Sequence, residues 1–130
     1  MFTFSVNLNK NFEQAIEAVT AALKDEAFGV LTDIDFSGTI KAKLNIDHRP
    51  YRILGACNPP LANEAVTADP SVGALLPCNV VVREVEDDQC EVIFMDPLAV
   101  MKLSDNPTIA KVANDANDRL RRVKQVLTAG

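Results

Sequence analysis

The sequence is poor in aromatic residues and in histidine. Aromatic side chains make up 5% of its 130 residues, Trp is absent, and His48 is the only histidine. Aromatic anchors of the kind that dominate protein interfaces are therefore scarce. A closed zinc site needs about four ligands, and this chain offers few candidates. The sequence also lacks a glycine-rich phosphate loop, a GxSxG nucleophile elbow and an HExxH zinc motif. It therefore carries none of these common signatures of nucleotide-binding, hydrolase or zinc-protease sites.

The charge balance and the hydrophobic runs exclude two kinds of partner. Thirteen basic and 18 acidic residues give a net charge of -5, so a nucleic-acid partner is not expected. The basic residues near the C-terminus are interpreted as a solvated helix end that complements the helix dipole; they are Arg119, Arg121, Arg122 and Lys124. No run approaches the ~20 apolar residues of a membrane-spanning helix.

The cysteine count and the first residues predict a cytoplasmic location. Cys57, Cys78 and Cys90 make an odd number without the spacing of a disulfide framework, as expected for a reduced protein. The N-terminus lacks the basic start and apolar run of a secretory signal. With 48% hydrophobic and 24% charged residues, the composition predicts one globular domain over residues 1–130.

Hydrophobic periodicity predicts five strands and six helices. Alternating or continuous apolar runs place strands at 2–6, 30–36, 51–57, 78–85 and 90–95. The first helix follows a capping box of Asn11 and Gln14 and ends at Gly29. Ser37 is expected to cap a second, short helix. Four Asx-Pro pairs then mark helix starts, because the Asx side chain caps and proline suits the first turn; these helices cover about 59–67, 70–75, 97–103 and 107–127.

The order of these elements is β-α-β-α-β-α-α-β-β-α-α. Helical connections precede a closing hairpin, whose turn lies at 86–89. This pattern predicts an α+β protein of two layers, with a single mixed sheet of about five strands and helices packed on it.

Two Cys-Asn pairs beside prolines are the most informative feature. Cys57 ends a strand and precedes a helix capped by Asn58, and Cys78 with Asn79 begins a later strand. Because exposed N–H groups at a helix start favour the thiolate, Cys57 is a candidate reactive cysteine. The alternative is that it packs as a small buried hydrophobe. Cys90, beside the hairpin turn, is expected only to pack.

The segment between the two pairs predicts their geometry. Two short helices broken at Asp69-Pro70 favour doubling back over a single crossover. Cys57 and Cys78 should therefore lie on adjacent antiparallel strands at the same end of the sheet, within reach of one shared ligand. A redox dithiol or a soft-metal pair then becomes conceivable, as does a zinc site that adds His48 and a carboxylate.

Four further polar side chains join the candidate site. Asn58 caps a helix, whereas Asn79 lies in an apolar strand, where it bonds either a loop backbone or a ligand. Asp33 shares a strand face with Asp35 and is either an acid–base group or an exposed carboxylate. Arg52 is expected to bind an anionic group or to pair with these carboxylates.

Four stretches of the sequence resemble a known family; they are 29–35, 43–47, 51–60 and 73–82, the last two carrying the Cys-Asn pairs. The chain is identified as a member of the domain of unknown function family numbered 302, over about 28–84. The resemblance implies a small α+β homodimer with no established activity and no agreed catalytic residues. Some members look to be joined to redox or sulfur-handling domains. Asp33 departs from the pattern, which often has Glu there.

Three functional hypotheses follow. The first is a binding module that holds a small ligand, a soft metal or sulfur near the two Cys-Asn pairs, with Asp33 and Arg52 adding charge. The second is a thiol-dependent enzyme or redox dithiol protein, with Cys57 and Cys78 as candidate catalytic residues. The third is a structural or interaction protein that acts through a dimer surface. The sequence identifies neither the ligand nor any cofactor.

Overall fold

A single five-stranded sheet organises the fold. The structure is a computed structural model that describes residues 1–129. The strands are β1 (Thr3–Leu8), β2 (Gly29–Asp35), β3 (Tyr51–Cys57), β4 (Cys78–Glu86) and β5 (Gln89–Met95). The helices are α1 (Phe12–Asp25), α2 (Phe36–Leu44), α3 (Pro59–Ala68), a 3₁₀ helix (Pro70–Leu75), α4 (Pro97–Met101) and α5 (Pro107–Ala129). The predicted order of elements and the α+β class are confirmed.

The strands follow the order β1-β5-β4-β3-β2, and all four neighbouring pairs are antiparallel. The sheet is therefore antiparallel throughout the described residues rather than mixed. The reason lies in α1, which carries the chain from the β1 edge to the β2 edge. The two strands that this helical crossover joins are not neighbours, so it creates no parallel pair.

The main core lies between the sheet and helices α1 and α5. Alternate residues of each strand point toward these helices, as the two-residue period of a strand requires. The strand residues of this core include Val6, Leu54, Val80, Val82, Val92 and Phe94. Helix α5 adds Ala116, Leu120, Val123 and Leu127.

A second, smaller core joins α3, the 3₁₀ helix and α4 to the first half of α5. It is formed by Ala65, Val72, Met101, Ile109, Val112 and Ala113. Leu61 of α3 packs against both cores. The two cores therefore meet beside α3, close to the end of β3.

The predicted helix caps are largely confirmed. Asn11 and Gln14 form the capping box of α1. The Asx side chain of all four Asx-Pro pairs accepts a backbone N–H at distances of 2.9–3.1 Å. These short-range contacts depend on local sequence only, which is why the sequence predicts them well.

Two helix ends differ from the predictions. Helix α1 ends at Asp25 and the left-handed residue beyond it is Ala27, with φ 64°, whereas Gly29 already belongs to β2. Asp35, not Ser37, caps α2, because its carboxylate accepts from Gly38 N at 2.9 Å. The Ser37 hydroxyl donates to the same carboxylate oxygen. These hydrogen bonds lower the pKa of Asp35, the Gly38 N–H contributing most.

The opposite face of the sheet is open. Ile34, Ile53, Val81 and Ile93 lie in register across four strands and form one apolar row. Ile34 is 51% exposed, and the other three are half-buried. Tyr51 and Phe36 lie beside this row with ring centroids 5.3 Å apart. We refer to the four aliphatic residues as the open-face row.

Candidate functional site

The structure brings the two cysteines to one end of the sheet. Strands β3 and β4 are adjacent and antiparallel, and Cys78 pairs with Ala56, the residue before Cys57. The chain between them doubles back through α3 and the 3₁₀ helix, as predicted. The predicted placement of Cys57 and Cys78 on adjacent antiparallel strands at the same end of the sheet is therefore confirmed.

A cavity of about 360 Å³ lies at this end of the sheet, where the two cores meet. Cys57, Asn58 and Cys78 contribute to its wall. Apart from Thr32, the rest of the wall is apolar and comes from residues 28–32, the end of β3, α3, the 3₁₀ helix, α4, α5 and the turn before β4; its larger side chains are Phe28, Leu61, Val66, Leu76, Met101 and Val112. Of the described residues, none with a charged side chain lines the cavity.

Gly55 allows the cavity wall to close over the sheet. A Cβ atom at this position would lie 2.8 Å from Pro77 Cγ and closer still to the Thr32 hydroxyl. Both Thr32 and Pro77 line the cavity, so their approach over β3 depends on the missing side chain. A glycine inside an apolar strand is the sequence signal for such a close approach.

Asn58 has the capping role that the sequence predicts. It is only 6% exposed, and its Oδ1 accepts from Leu61 N at 3.1 Å. Through this bond Asn58 fixes the start of α3. Residues Leu61, Ala62, Ala65 and Val66 of this helix then form one side of the cavity.

The environment of the thiols opposes the activated cysteine that the sequence suggests. Burial raises the pKa of Cys57 instead of lowering it. Burial, with a smaller effect from the charge of Cys57, raises the pKa of Cys78 to about 11. The Leu61 N–H at the helix start is bonded to Asn58 and is not free to stabilise a thiolate. Both thiols are held in the neutral form at neutral pH.

Three predicted site residues lie away from the cavity. Asn79 is exposed and pairs with Gly55 in the neighbouring strand, outside the cavity wall. Asp33 and Arg52 pair with each other: Arg52 Nε donates to Asp33 Oδ1 at 3.0 Å, and a second bond joins Nη2 to Oδ2. This pair satisfies the two charges locally, so neither is directed at a ligand in the cavity.

The zinc site that adds His48 to the two cysteines is wrong. His48 precedes β3 while Cys57 ends it, and the imidazole packs against Phe36 with ring centroids 6.3 Å apart. Within residues 1–129, no three or more His, Cys, Asp or Glu side chains group as metal ligands. Cys90 is buried in the main core and its thiol donates to Lys10 O at 3.5 Å, in agreement with a packing role.

The apolar part of the wall was not predicted as a site. In the sequence, Leu61, Met101 and Val112 look like any residues on the buried face of a helix. The close spacing of Gly55, Asn58 and two prolines in one stretch was the available signal, but it does not show that the helices behind it leave a space.

The fold and the cavity define a small α+β protein with an antiparallel sheet and a largely apolar, ligand-sized cavity at one end of it. The chain matches Domain of unknown function DUF302 over residues 4–127 and belongs to this family. A solved structure is similar over 98% of each chain, with 27% identity and a TM-score of 0.87; it is the uncharacterized conserved protein DUF302 from Bacillus stearothermophilus. No curated protein matches the chain. None of the helices in residues 1–129 has the length and hydrophobicity to cross a bilayer.

Proposed function

We propose that this protein is a binding module for a small, neutral and largely apolar molecule, which occupies the cavity beside Cys57, Asn58 and Cys78. The observation that carries this proposal is the absence of charged side chains from the cavity wall among the described residues. A charged ligand would lose its hydration there without gaining a partner, and this costs several kcal/mol. A hydrocarbon-like ligand instead gains about 25 cal/mol for each Å² of apolar surface removed from water.

The cavity volume supports a ligand of moderate size. An apolar cavity of ~150 Å³ holds benzene. A volume of about 360 Å³ therefore has room for a bicyclic hydrocarbon or a chain of comparable volume. It falls within the range of ~300–1,000 Å³ that is typical of ligand pockets.

The proposal is tested with 2-isopropenylnaphthalene, a neutral bicyclic hydrocarbon. We expect saturable binding by isothermal titration calorimetry, with slower modification of Cys57 by a small methanethiosulfonate reagent when the probe is bound. Ala62→Phe places a ring in the cavity and should weaken binding at least tenfold, whereas Ala110→Phe on the exposed side of α5 should leave it unchanged. Absence of binding to the wild type, or equal binding by both variants, would reject the proposal.

A soft metal or sulfane sulfur is a second possible occupant, because both thiols line the same cavity. Two sulfur ligands suit a soft metal, although the raised thiol pKa values oppose the thiolate that would bind it. Titration of Cu(I), Zn(II) and a sulfane-sulfur donor against the wild type and Cys57→Ser tests whether the thiols bind such an occupant. Indistinguishable isotherms for the two proteins would show that the Cys57 thiol does not contribute to binding.

A thiol-dependent enzyme or redox dithiol with Cys57 as the reactive residue is less well supported. Such chemistry requires a thiolate near neutral pH, and burial shifts the pKa of Cys57 in the other direction. The pH dependence of iodoacetamide labelling measures this directly. A labelling midpoint below pH 8 at Cys57 would favour the enzyme over the binding module.

We also propose that the protein forms a homodimer through the open-face row, in the cytoplasm, where its three cysteines stay reduced. An apolar row across four strands, flanked by Tyr51, Phe36 and Arg83, has the composition of an interface centre. Val81→Arg should give a monomer in sedimentation at low micromolar concentration, and Val126→Arg on α5 should not. A monomeric wild type would reject this proposal.

A further inference from the structure

The amide of Asn58 is the only buried polar side chain among residues 1–129. Its two ends have different surroundings. The Leu61 N–H points at one end from 3.1 Å and needs an acceptor, so that end is the carbonyl oxygen Oδ1. The other end is therefore the NH₂ group, Nδ2.

Nδ2 has no partner within the part of the chain that the structure describes. None of the side-chain hydrogen bonds among these residues uses it as a donor. Side-chain nitrogen and oxygen atoms that are fully closed off and unpaired are also absent there. Nδ2 therefore keeps some accessible surface, and Asn58 is one of the residues that line the cavity. A donor in such a position costs free energy unless something accepts from it.

We infer that the ligand carries a neutral hydrogen-bond acceptor, such as a carbonyl oxygen, and that Asn58 Nδ2 donates to it. This inference rests on the proposed function and narrows the ligand class from hydrocarbons to neutral molecules with one polar end. The acceptor must be neutral because a carboxylate or phosphate would find no cation in the wall. The cap holds Oδ1 in place, so Nδ2 is held in one orientation before the ligand arrives.

Two matched probes test the donor. 2-Acetylnaphthalene and 2-isopropenylnaphthalene have nearly the same shape and differ in a C=O or a C=CH₂ group. Wild-type protein should bind the ketone more tightly than the hydrocarbon, by roughly 2- to 12-fold, as expected for one neutral hydrogen bond.

The variants separate the donor from the cap. Asn58→Asp keeps a capping oxygen at the start of α3 but replaces NH₂ by an acceptor. It should abolish or reverse the preference for the ketone. Asn63→Asp makes the same change of charge on the exposed side of the same helix and should keep the preference. Unfolding curves of both variants report whether α3 remains in place.

The outcomes separate a failure of the inference about Asn58 from a failure of the proposed function. Equal affinity of both probes for the wild type, or an unchanged preference in a folded Asn58→Asp variant, would overturn the inference and leave the apolar cavity as the binding site. Failure of both probes to bind the wild type would overturn the proposed function and the inference together.

Discussion

Replacing Gly55 by alanine should disturb the cavity wall and the sheet at the same time. The new Cβ would lie 2.8 Å from Pro77 Cγ. It would also collide with the side chain of Thr32, which pairs with Gly55 from the neighbouring strand β2. Carbon atoms at optimal separation are ~3.5–4.0 Å apart. Relief therefore requires β3, Thr32 or Pro77 to move, and the last two belong to the cavity wall.

The size of the effect follows from two opposing contributions. Overpacking of a well-packed site costs about 1–3 kcal/mol. Alanine also restricts the unfolded chain, which contributes about 0.4–1 kcal/mol in favour of the folded state. The net expectation for Gly55→Ala is a loss of about 1–2 kcal/mol, which for a chain of this length lowers Tm by roughly 3–10 °C.

Urea denaturation of Gly55→Ala and Gly29→Ala measures this difference. Gly29 is a matched control, because a methyl group at this position would meet no atom within 4 Å and its φ is not positive. We expect Gly29→Ala to be neutral or slightly stabilising, with the same m-value as the wild type. Equal stability of the two variants would show that Thr32 and Pro77 do not close over β3 as described.

Three further predictions concern the thiols, the cap and the ion pair. The pKa of Cys78 lies above its ordinary value of 9.0, at about 11, so its contribution to stability is complete below about pH 9 and is lost as the pH rises toward 11. Between pH 9 and pH 11 the wild type should therefore lose on the order of 2–3 kcal/mol more unfolding free energy than Cys78→Ala. An identical loss in the two proteins would contradict burial of the Cys78 thiol. Asn58→Ala should cost about 1 kcal/mol of unfolding free energy, and Asn58→Ser should cost less, because the serine hydroxyl still caps α3. Equal losses would assign the effect to packing. Arg52→Ala should change stability by less than about 1 kcal/mol. It should also leave the affinity for 2-isopropenylnaphthalene unchanged, because the Arg52–Asp33 pair lies outside the cavity. Weaker binding by this variant would show that Arg52 contributes to the binding site.

Local features of the fold could be predicted because their causes are local. The capping box at Asn11 and the Asx-Pro helix starts depend on residues within three positions of each other. The prediction that β3 and β4 are antiparallel neighbours followed from the break at Asp69-Pro70, which favours a connection that doubles back. The left-handed turn at Ala27, just beyond the end of α1, is not predicted because an alanine gives no sign of the conformation that glycine usually provides.

The candidate site could be predicted only in part. The Cys-Asn pairs indicated where Cys57 and Cys78 would meet, since strand ends and turn residues mark that point in the sequence. The cavity itself depends on how α3, α4 and α5 pack, which no single segment encodes. For Arg52 the sequence left open a ligand or a partner carboxylate, and the register of β2 on β3 brings it to Asp33. The direction of the thiol pKa shifts likewise depends on walls supplied by distant segments.

The most direct test of the cavity as a binding site is an NMR measurement of intermolecular NOEs between 2-isopropenylnaphthalene and the methyl groups of the protein. The account predicts NOEs to Leu61, Met101 and Val112, which line the cavity from three helices. It predicts none to Ile53 and Ile93 of the open-face row. NOEs confined to the open-face row, or a probe that contacts no methyl group of the cavity, would contradict the central claim.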